Sequence, residues 1–506
     1  MHGSNRTPNA RGGSPPGLPS RRATSPVMRG CPGDHLLPSV SHRPRSARTA
    51  PLWFAVALVG CTTATERAVE RELAAIERRL AAPAPSAGPA AEATSDETPE
   101  NVRFDGTLGP YLAYAFAHSP DVRAAYEAYR AAAEEPKIAR RLPEPTLSFA
   151  GFVRAVETRV GPQRANLGVA QWFPWPSRLI QAGHAAALRA QAAGRAFEAA
   201  ALEVARRVTH AYAELWRIDR NIEVETERAT LFEGLADAVR IRTQTGRARI
   251  ADVARIETRV LRARDRIAAL EAARRSASAE LRRAVGAPVD VELPVVAASP
   301  PVGAPAVSDG DLVTDAESHP RIAAMASMSE AERRAAKARR GERFPSFGIG
   351  LNWIITGASS MDPPPSDSGK DAVVATGMLR LPLWQRSYGA AERKARALAR
   401  MYDARRRVLV LDARAQVEAA LSRLDDALRR VEFYERTLVR QAEAALGSMR
   451  AAYAAEKAAL ADVLDAEEDL VELRRAAVDA RADALRAYAD LEALVGHPVP
   501  RKDMTP

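Results

Sequence analysis

The chain is predicted to be mainly α-helical with two short β-strand pairs, one architecture built twice. Three observations point there. First, the second half restates the first: Arg247, Ala248, Ala251, Asp252 and Val253 recur as Lys457, Ala458, Ala461, Asp462 and Val463, an offset of 210. The same offset carries Leu281, Gly286 and Pro288 onto Leu491, Gly496 and Pro498. Upstream, Pro120 matches Pro320 and Pro145 matches Pro345 at offset 200, and Pro174 matches Pro382 at offset 208. Two similar units of this length imply one structural unit duplicated. Second, long proline-free stretches carry apolar residues in steps of three and four. Third, short alternating segments sit at corresponding places in both halves.

The elements follow in order. Residues 1–60 form a signal region: the run from Leu52 to Gly60 is apolar and follows Arg43, Arg45 and Arg48. This pattern is that of a secretory signal and not of a span. No run of eighteen apolar residues exists, so no ordinary transmembrane helix is expected. The run ends at Leu58-Val59-Gly60-Cys61, which resembles a bacterial lipoprotein box. Cys61 is therefore the expected lipidation site and mature N-terminus, with an ordinary signal peptide followed by a chance cysteine as the plainer alternative. The start codon could then lie downstream, for example at Met28. Residues 61–104 read as anchor, a short charged helix from Glu66 to about Leu80, and a Pro/Ala/Ser tether.

The first unit, 105–290, opens with a helix from Leu108 that breaks at Ser119-Pro120 and resumes to Arg141. Proline fits the first turn of the resumed helix because its missing N–H has no partner there. Strands follow at 146–156 and 166–173, with Gly161-Pro162 between them. Leu147, Phe149 and Gly151 alternate with Ser148 and Ala150; Leu167, Val169 and Gln171 alternate with Asn166, Gly168 and Ala170. A helix over 177–243 carries Val204, Val208, Ala211, Leu215, Ile218 and Ile222 on one seam, and Thr245-Gly246 ends it. Another helix, 252–285, uses Val253, Val260, Ile267 and Leu281. Such seams signal coiled-coil packing. After a linker at 291–308, the second unit, 309–498, repeats the plan: a helix broken at His319-Pro320, strands at 347–356 and 372–381, and helices carrying Val417, Leu421, Leu424, Leu428, Val431 and Leu438, then Leu464, Val471, Val478 and Leu485. Residues 361–370 form a longer loop that takes most of the extra length, and 499–506 are a tail.

Charge and motif content exclude several classes. Of the net charge of +10, residues 1–60 hold +7, from eight Arg and one Asp. The remainder is interleaved along helices and makes no basic face, so nucleic-acid binding is not expected. Cys31 and Cys61 are too few for a disulfide framework or a four-thiolate site. The eight His share no ligand spacing, and no nucleophile-base pair or phosphate loop is evident, so neither catalysis, nor a metal, nor a non-covalent cofactor is expected. Aromatics cluster at strand ends, in Trp172, Trp175, Trp353 and Trp384. They suit a membrane-interface girdle, although the core of a soluble hairpin would use them equally well.

Four strands cannot close a barrel, and open edges are not tolerated in lipid. Two chains give eight strands, which leave a side-chain-filled interior; three give twelve and leave a passage. Over 105–498 the chain resembles the TolC-type outer-membrane efflux ducts. The resemblance is carried by Ser119-Pro120-Asp121-Val122-Arg123, Leu142-Pro143-Glu144-Pro145-Thr146, Phe173-Pro174-Trp175-Pro176, Thr245-Gly246-Arg247 with Asp252-Val253, and Tyr453 with Asp462-Val463-Leu464-Asp465-Ala466.

What the resemblance implies is a homotrimer with a twelve-stranded barrel in the outer membrane of a Gram-negative bacterium and an α-helical barrel in the periplasm. It would be the passive exit duct of a tripartite efflux or type I secretion system. An inner-membrane pump of RND or ABC type would pass substrate on through a periplasmic adaptor. The adaptor would dock on the helix tips at Thr245, Gly246, Arg247, Ile250, Glu456, Lys457 and Leu460. Asp252 and Asp462 read first as helix caps. Glu456 stands where the family usually has Gly; with Asp462 and Asp465 it forms a candidate acidic ring at the entrance. A coiled-coil outer-membrane lipoprotein without channel activity is the alternative, but it has no use for two strand pairs with Trp-bearing ends.

Overall fold

The computed structural model describes residues 63–81, 104–246, 248–296 and 301–502. The expected signal region, Cys31, Cys61, most of the tether and Arg247 lie outside the described residues. Helix α1 (Ala64–Ala81) precedes α2 (Leu108–His118) and α3 (Pro120–Ala139). Then come β1 (Thr146–Val156), β2 (Gln163–Phe173), α4 (Pro176–Gln244) and α5 (Ile250–Val285). The order then recurs as α6 (Asp309–Glu317), α7 (Pro320–Gly341), β3 (Ser346–Thr356), β4 (Ala372–Arg380), α8 (Gln385–Glu432), a π segment (Phe433–Leu438), α9 (Val439–Ala454) and α10 (Leu460–Val495). Among the described residues, no helix is long and apolar enough to cross a membrane.

Proline and glycine set the boundaries. Pro120, Pro176 and Pro320 occupy the first turns of α3, α4 and α7, where the absent N–H costs no hydrogen bond. At His319 the ring Nδ1 accepts from the Arg321 N–H at 3.1 Å and caps α7. Gly286 (φ 79°) and Gly496 (φ 92°) end α5 and α10 in the left-handed conformation. Each packs on a helix break: a Cβ on Gly286 would meet the His118 carbonyl oxygen at 3.0 Å, and one on Gly496 would meet Pro320 Cδ at 3.3 Å. Helices α5 and α10 both contain 36 residues and start and end 210 positions apart, at 250 and 460, and at 285 and 495.

The coiled-coil seams are real cores. Val204, Val208, Leu215 and Ile218 of α4 are buried with Tyr111, Tyr212, Trp216 and Leu281. Val417 and Leu424 of α8 are buried with Leu312, Tyr488 and Leu491. Each such side chain removed from water contributes about 1.5–3 kcal/mol. The 69 residues of α4 make it roughly 100 Å long at 1.5 Å per residue.

Glu225 interrupts the α4 seam, three residues after Ile222. It is fully buried, with ion pairs to Arg475 and, at 3.7 Å, to Arg228; Arg228 also reaches Glu468 at 2.7 Å. This layer joins α4 to α10.

The strands form one antiparallel sheet in the order β1-β2-β3-β4, so β2 pairs with β3 across the two halves. The second strand begins at Gln163, three residues before the expected start, because Gln163 pairs with both Val156 and Thr356. The two strand-connecting loops are tied together: Gly357 N–H donates to the Pro162 carbonyl at 2.8 Å, Gly369 N–H to that of Val160 at 2.7 Å, and Arg159 pairs with Asp367.

Replacing Glu225 with Ala leaves the half-buried Arg475 without its carboxylate and Arg228 with Glu468 alone, and should cost about 1–3 kcal/mol. A lower thermal midpoint in detergent, with α-helical content retained at low temperature, is the expected outcome.

Candidate functional site

Two parts of the molecule carry the sequence-derived site residues: the faces of the sheet and the tips of the long helices. The register fixes the faces. Leu147, Val169 and Leu351 align across three strands, and Phe149, Leu167, Trp353 and Val373 across all four. Among the described residues, no layer packs over this apolar face. Leu147 is 82% exposed, Phe149 74% and Trp353 47%. The opposite face carries Ser148, Gly168 and Asn352 in one row and Ala170, Gly350 and Thr376 in the next. A Cβ on Gly168 would come within 2.4 Å of Asn352 Oδ1 and 2.5 Å of Ser148 Oγ, so that face is closely packed. Apolar outside and small or polar inside is the alternation of a membrane barrel strand, and strands of 9–11 residues suit that role.

The four tryptophans do not form one set. Trp353, on the apolar face, donates its indole N–H to Asp371 at 2.9 Å near the loop end. Trp175 and Trp384 sit at the helix end. Trp175 stacks on Phe344 at 5.0 Å between ring centroids, and Trp384 is exposed. Trp172 lies opposite Gly348, on the small-residue face, and is no girdle residue. The period of two places position 172 with 166, 168 and 170, a parity already legible in the sequence.

At the tips, Thr245 N–H donates to the Ile241 carbonyl and Gly246 N–H to that of Thr243, closing α4 with Gly246 at φ 72°. In the second tip Glu456 takes that conformation, at φ 62°, with its N–H on the Tyr453 carbonyl at 3.1 Å. A glutamate thus occupies a turn that favours glycine, at a cost on the order of 1 kcal/mol. Asp252 accepts from the Arg249 N–H at 3.3 Å and Asp462 from the Ala459 N–H at 2.9 Å; both carboxylates satisfy helix N-termini. Thr245, Ile250, Glu456, Lys457 and Asp465 are exposed. Leu460 is not: at 4% exposure it packs with Phe232, Val239, Ile256 and Leu464. It is a core residue of the tip because it holds the first helical position after the turn, facing α4. That burial removes it from the adaptor-contact set.

Sequence reasoning missed Arg242. Its guanidinium donates to the Tyr453 and Ala454 carbonyls, both at 3.2 Å, and stacks on the Tyr453 ring at 4.6 Å. It thereby satisfies the last carbonyls of α9 and ties the two tips together. Beside it lies a cleft of about 520 Å³ whose lining includes Phe232, Leu235, Arg450 and Glu467. Burial pushes the Glu467 carboxyl up, against the pull of Arg450 at 3.1 Å. No local spacing marks Arg242, since its acceptors lie more than 200 residues away. Among the described residues, no group of acidic, His or Cys side chains could hold a metal ion.

With this geometry in view, comparison decides the fold. VceC from Vibrio cholerae superposes with a TM-score of 0.61 at 20% identity, covering 77% of this chain and 96% of VceC. The chain has the fold of the TolC-type outer-membrane channels. MtrE, the outer membrane channel of Neisseria gonorrhoeae, gives 0.60 at 20% identity over 79% of this chain and 91% of its own. CmeC, from Campylobacter jejuni, gives 0.58 at 14% over 80% and 90%. Residues 314–497 match the model of the family described as outer membrane efflux protein. No curated protein matches the sequence.

Glu456→Gly should stabilise the second tip by about 1 kcal/mol by removing the left-handed side chain. Asp462→Ala should destabilise it by a similar amount through loss of the cap. Amide hydrogen exchange over residues 450–466 should slow in the first variant and quicken in the second.

Proposed function

We propose that this chain is one subunit of an outer-membrane efflux channel, a passive duct whose sheet sits in lipid and whose helices extend into the periplasm. The observation that carries the reading is the sheet: among the described residues, one wide apolar face is uncovered and two outer edges, on β1 and β4, have no partner strand. In lipid such edges must be closed, and three copies give twelve strands around a passage. A second unit that follows the plan of the first accounts for the matched bounds of α5 and α10. The efflux-family match over 314–497 and the likeness to solved channels support the same reading.

The finer assignments follow from it. Cys61 carries the lipid that anchors the mature N-terminus. Thr245, Gly246, Arg247, Ile250, Glu456 and Lys457, at the turns farthest along the chain from the sheet, dock the hairpins of a periplasmic adaptor. That adaptor couples the duct to an inner-membrane pump, for efflux or for type I secretion. Glu456 and Asp465, exposed at the second tip, form the acidic ring at the entrance, while Asp462 belongs first to its helix cap.

Two neighbouring residues on opposite faces test the orientation. Leu167→Arg puts a cation on the lipid face, costs about 2–4 kcal/mol near the bilayer centre, and should abolish trimer recovery from outer membranes. Asn166→Arg should assemble and alter conductance only. A water-soluble monomeric rod, giving no current in planar bilayers, would favour the lipoprotein alternative. In a conducting trimer, Glu456→Ala with Asp465→Ala should weaken block by multivalent cations; unchanged block would remove the acidic ring.

A further inference from the structure

The small-residue face ends, next to the helices, in a constellation the channel reading has not used. Trp172 lies opposite Gly348, and Gly348 opposite Met378. A Cβ on Gly348 would stand 3.0 Å from both the Trp172 ring and Met378 Cε, so the glycine leaves room for indole and thioether to meet over β3. The guanidinium carbon of Arg380 sits 4.5 Å from the Trp172 ring centroid. The Arg380 guanidinium makes no ion pair and no hydrogen bond among the described residues. The four strands contain three charged residues, Arg154, Arg164 and Arg380, and no acid. A guanidinium stacked on an aromatic face has its plane fixed and its N–H edge free, in the fork geometry that matches a carboxylate or sulfonate. Beside it, indole and thioether give an apolar, polarisable surface.

We propose that Trp172, Met378 and Arg380 form a subsite for amphipathic organic anions on the passage side of the sheet. The apolar or aromatic body lies against the indole and the thioether, and the acidic group takes the free edge of the guanidinium. The proposal rests on the channel reading, in which this face lines the duct, and gives that duct a preferred cargo class. Rotational symmetry of the assembly repeats the subsite around the passage at one level.

Single-channel recording of the full-length protein in planar bilayers tests it. A naphthalene disulfonate is added on the barrel side, with sulfate at equal concentration as the control. The aromatic anion should reduce the open current at concentrations where sulfate does not. Arg380→Gln should raise its half-blocking concentration roughly tenfold, the effect of losing one charge-assisted contact. Arg380→Lys should give an intermediate value, since it keeps the charge but not the stacked fork. Trp172→Leu should weaken aromatic block and leave the response to sulfate unchanged. Conducting Arg380→Gln and Arg380→Lys channels with unaltered block overturn the subsite, as does equal block by the two anions. Failure of the unsubstituted protein to conduct overturns the channel reading itself.

Discussion

Backbone hydrogen bonding along β1 and β4 is the constraint on which the rest of the structure depends. Among the described residues, each of these strands has one edge paired and one that is not. In water such an edge costs little, because solvent pairs with it. The face that accompanies it here is apolar and uncovered among the described residues, which fits the lipid setting proposed for this sheet. A lipid medium suits the face and penalises the edge. In the proposed channel both demands are met together where sheets from several chains join edge to edge.

The helices answer to the same constraint. Every strand pair opens at one end into helices, so one end of the sheet bears loops and the other bears the long rods. Prolines at the first turns of α3, α4 and α7 convert an extended or broken backbone into helix without losing a hydrogen bond. Once started, α4 runs as far as its apolar seam and its ion pairs hold it. Where the seam meets Glu225, arginines from two directions supply the compensation that water supplies on the surface.

Much of this was legible in the sequence, because its signals are local. Thr146 and Val156 bound β1 where the alternation and the prolines placed it, and Thr245-Gly246 ends α4 within a residue of expectation. Leu460 and Trp172 were misread for one reason: residue type was weighed above phase. Leucine in a tip looks like a contact and tryptophan at a strand end looks like a girdle, yet helical position turns the first inward and strand parity turns the second away from the apolar face. Glu225 was legible in principle, since it falls on the step after Ile222. Arg242 was not, because its partners come from the other half of the chain, as do those of Arg380 from another strand.

The π segment shows how the two long rods stay matched. Helix α4 runs for 69 residues, while the run from Gln385 to Ala454 holds one more. In an uninterrupted α-helix, a single added residue rotates everything beyond it by about 100°. The seam around Leu446 would then turn away from Val463 and Leu470 of α10. A wider turn at Phe433–Leu438 takes up the surplus within one coil, so the apolar stripe above and below it keeps a common bearing. The one-residue difference between these two rods is thereby reduced to a local swelling.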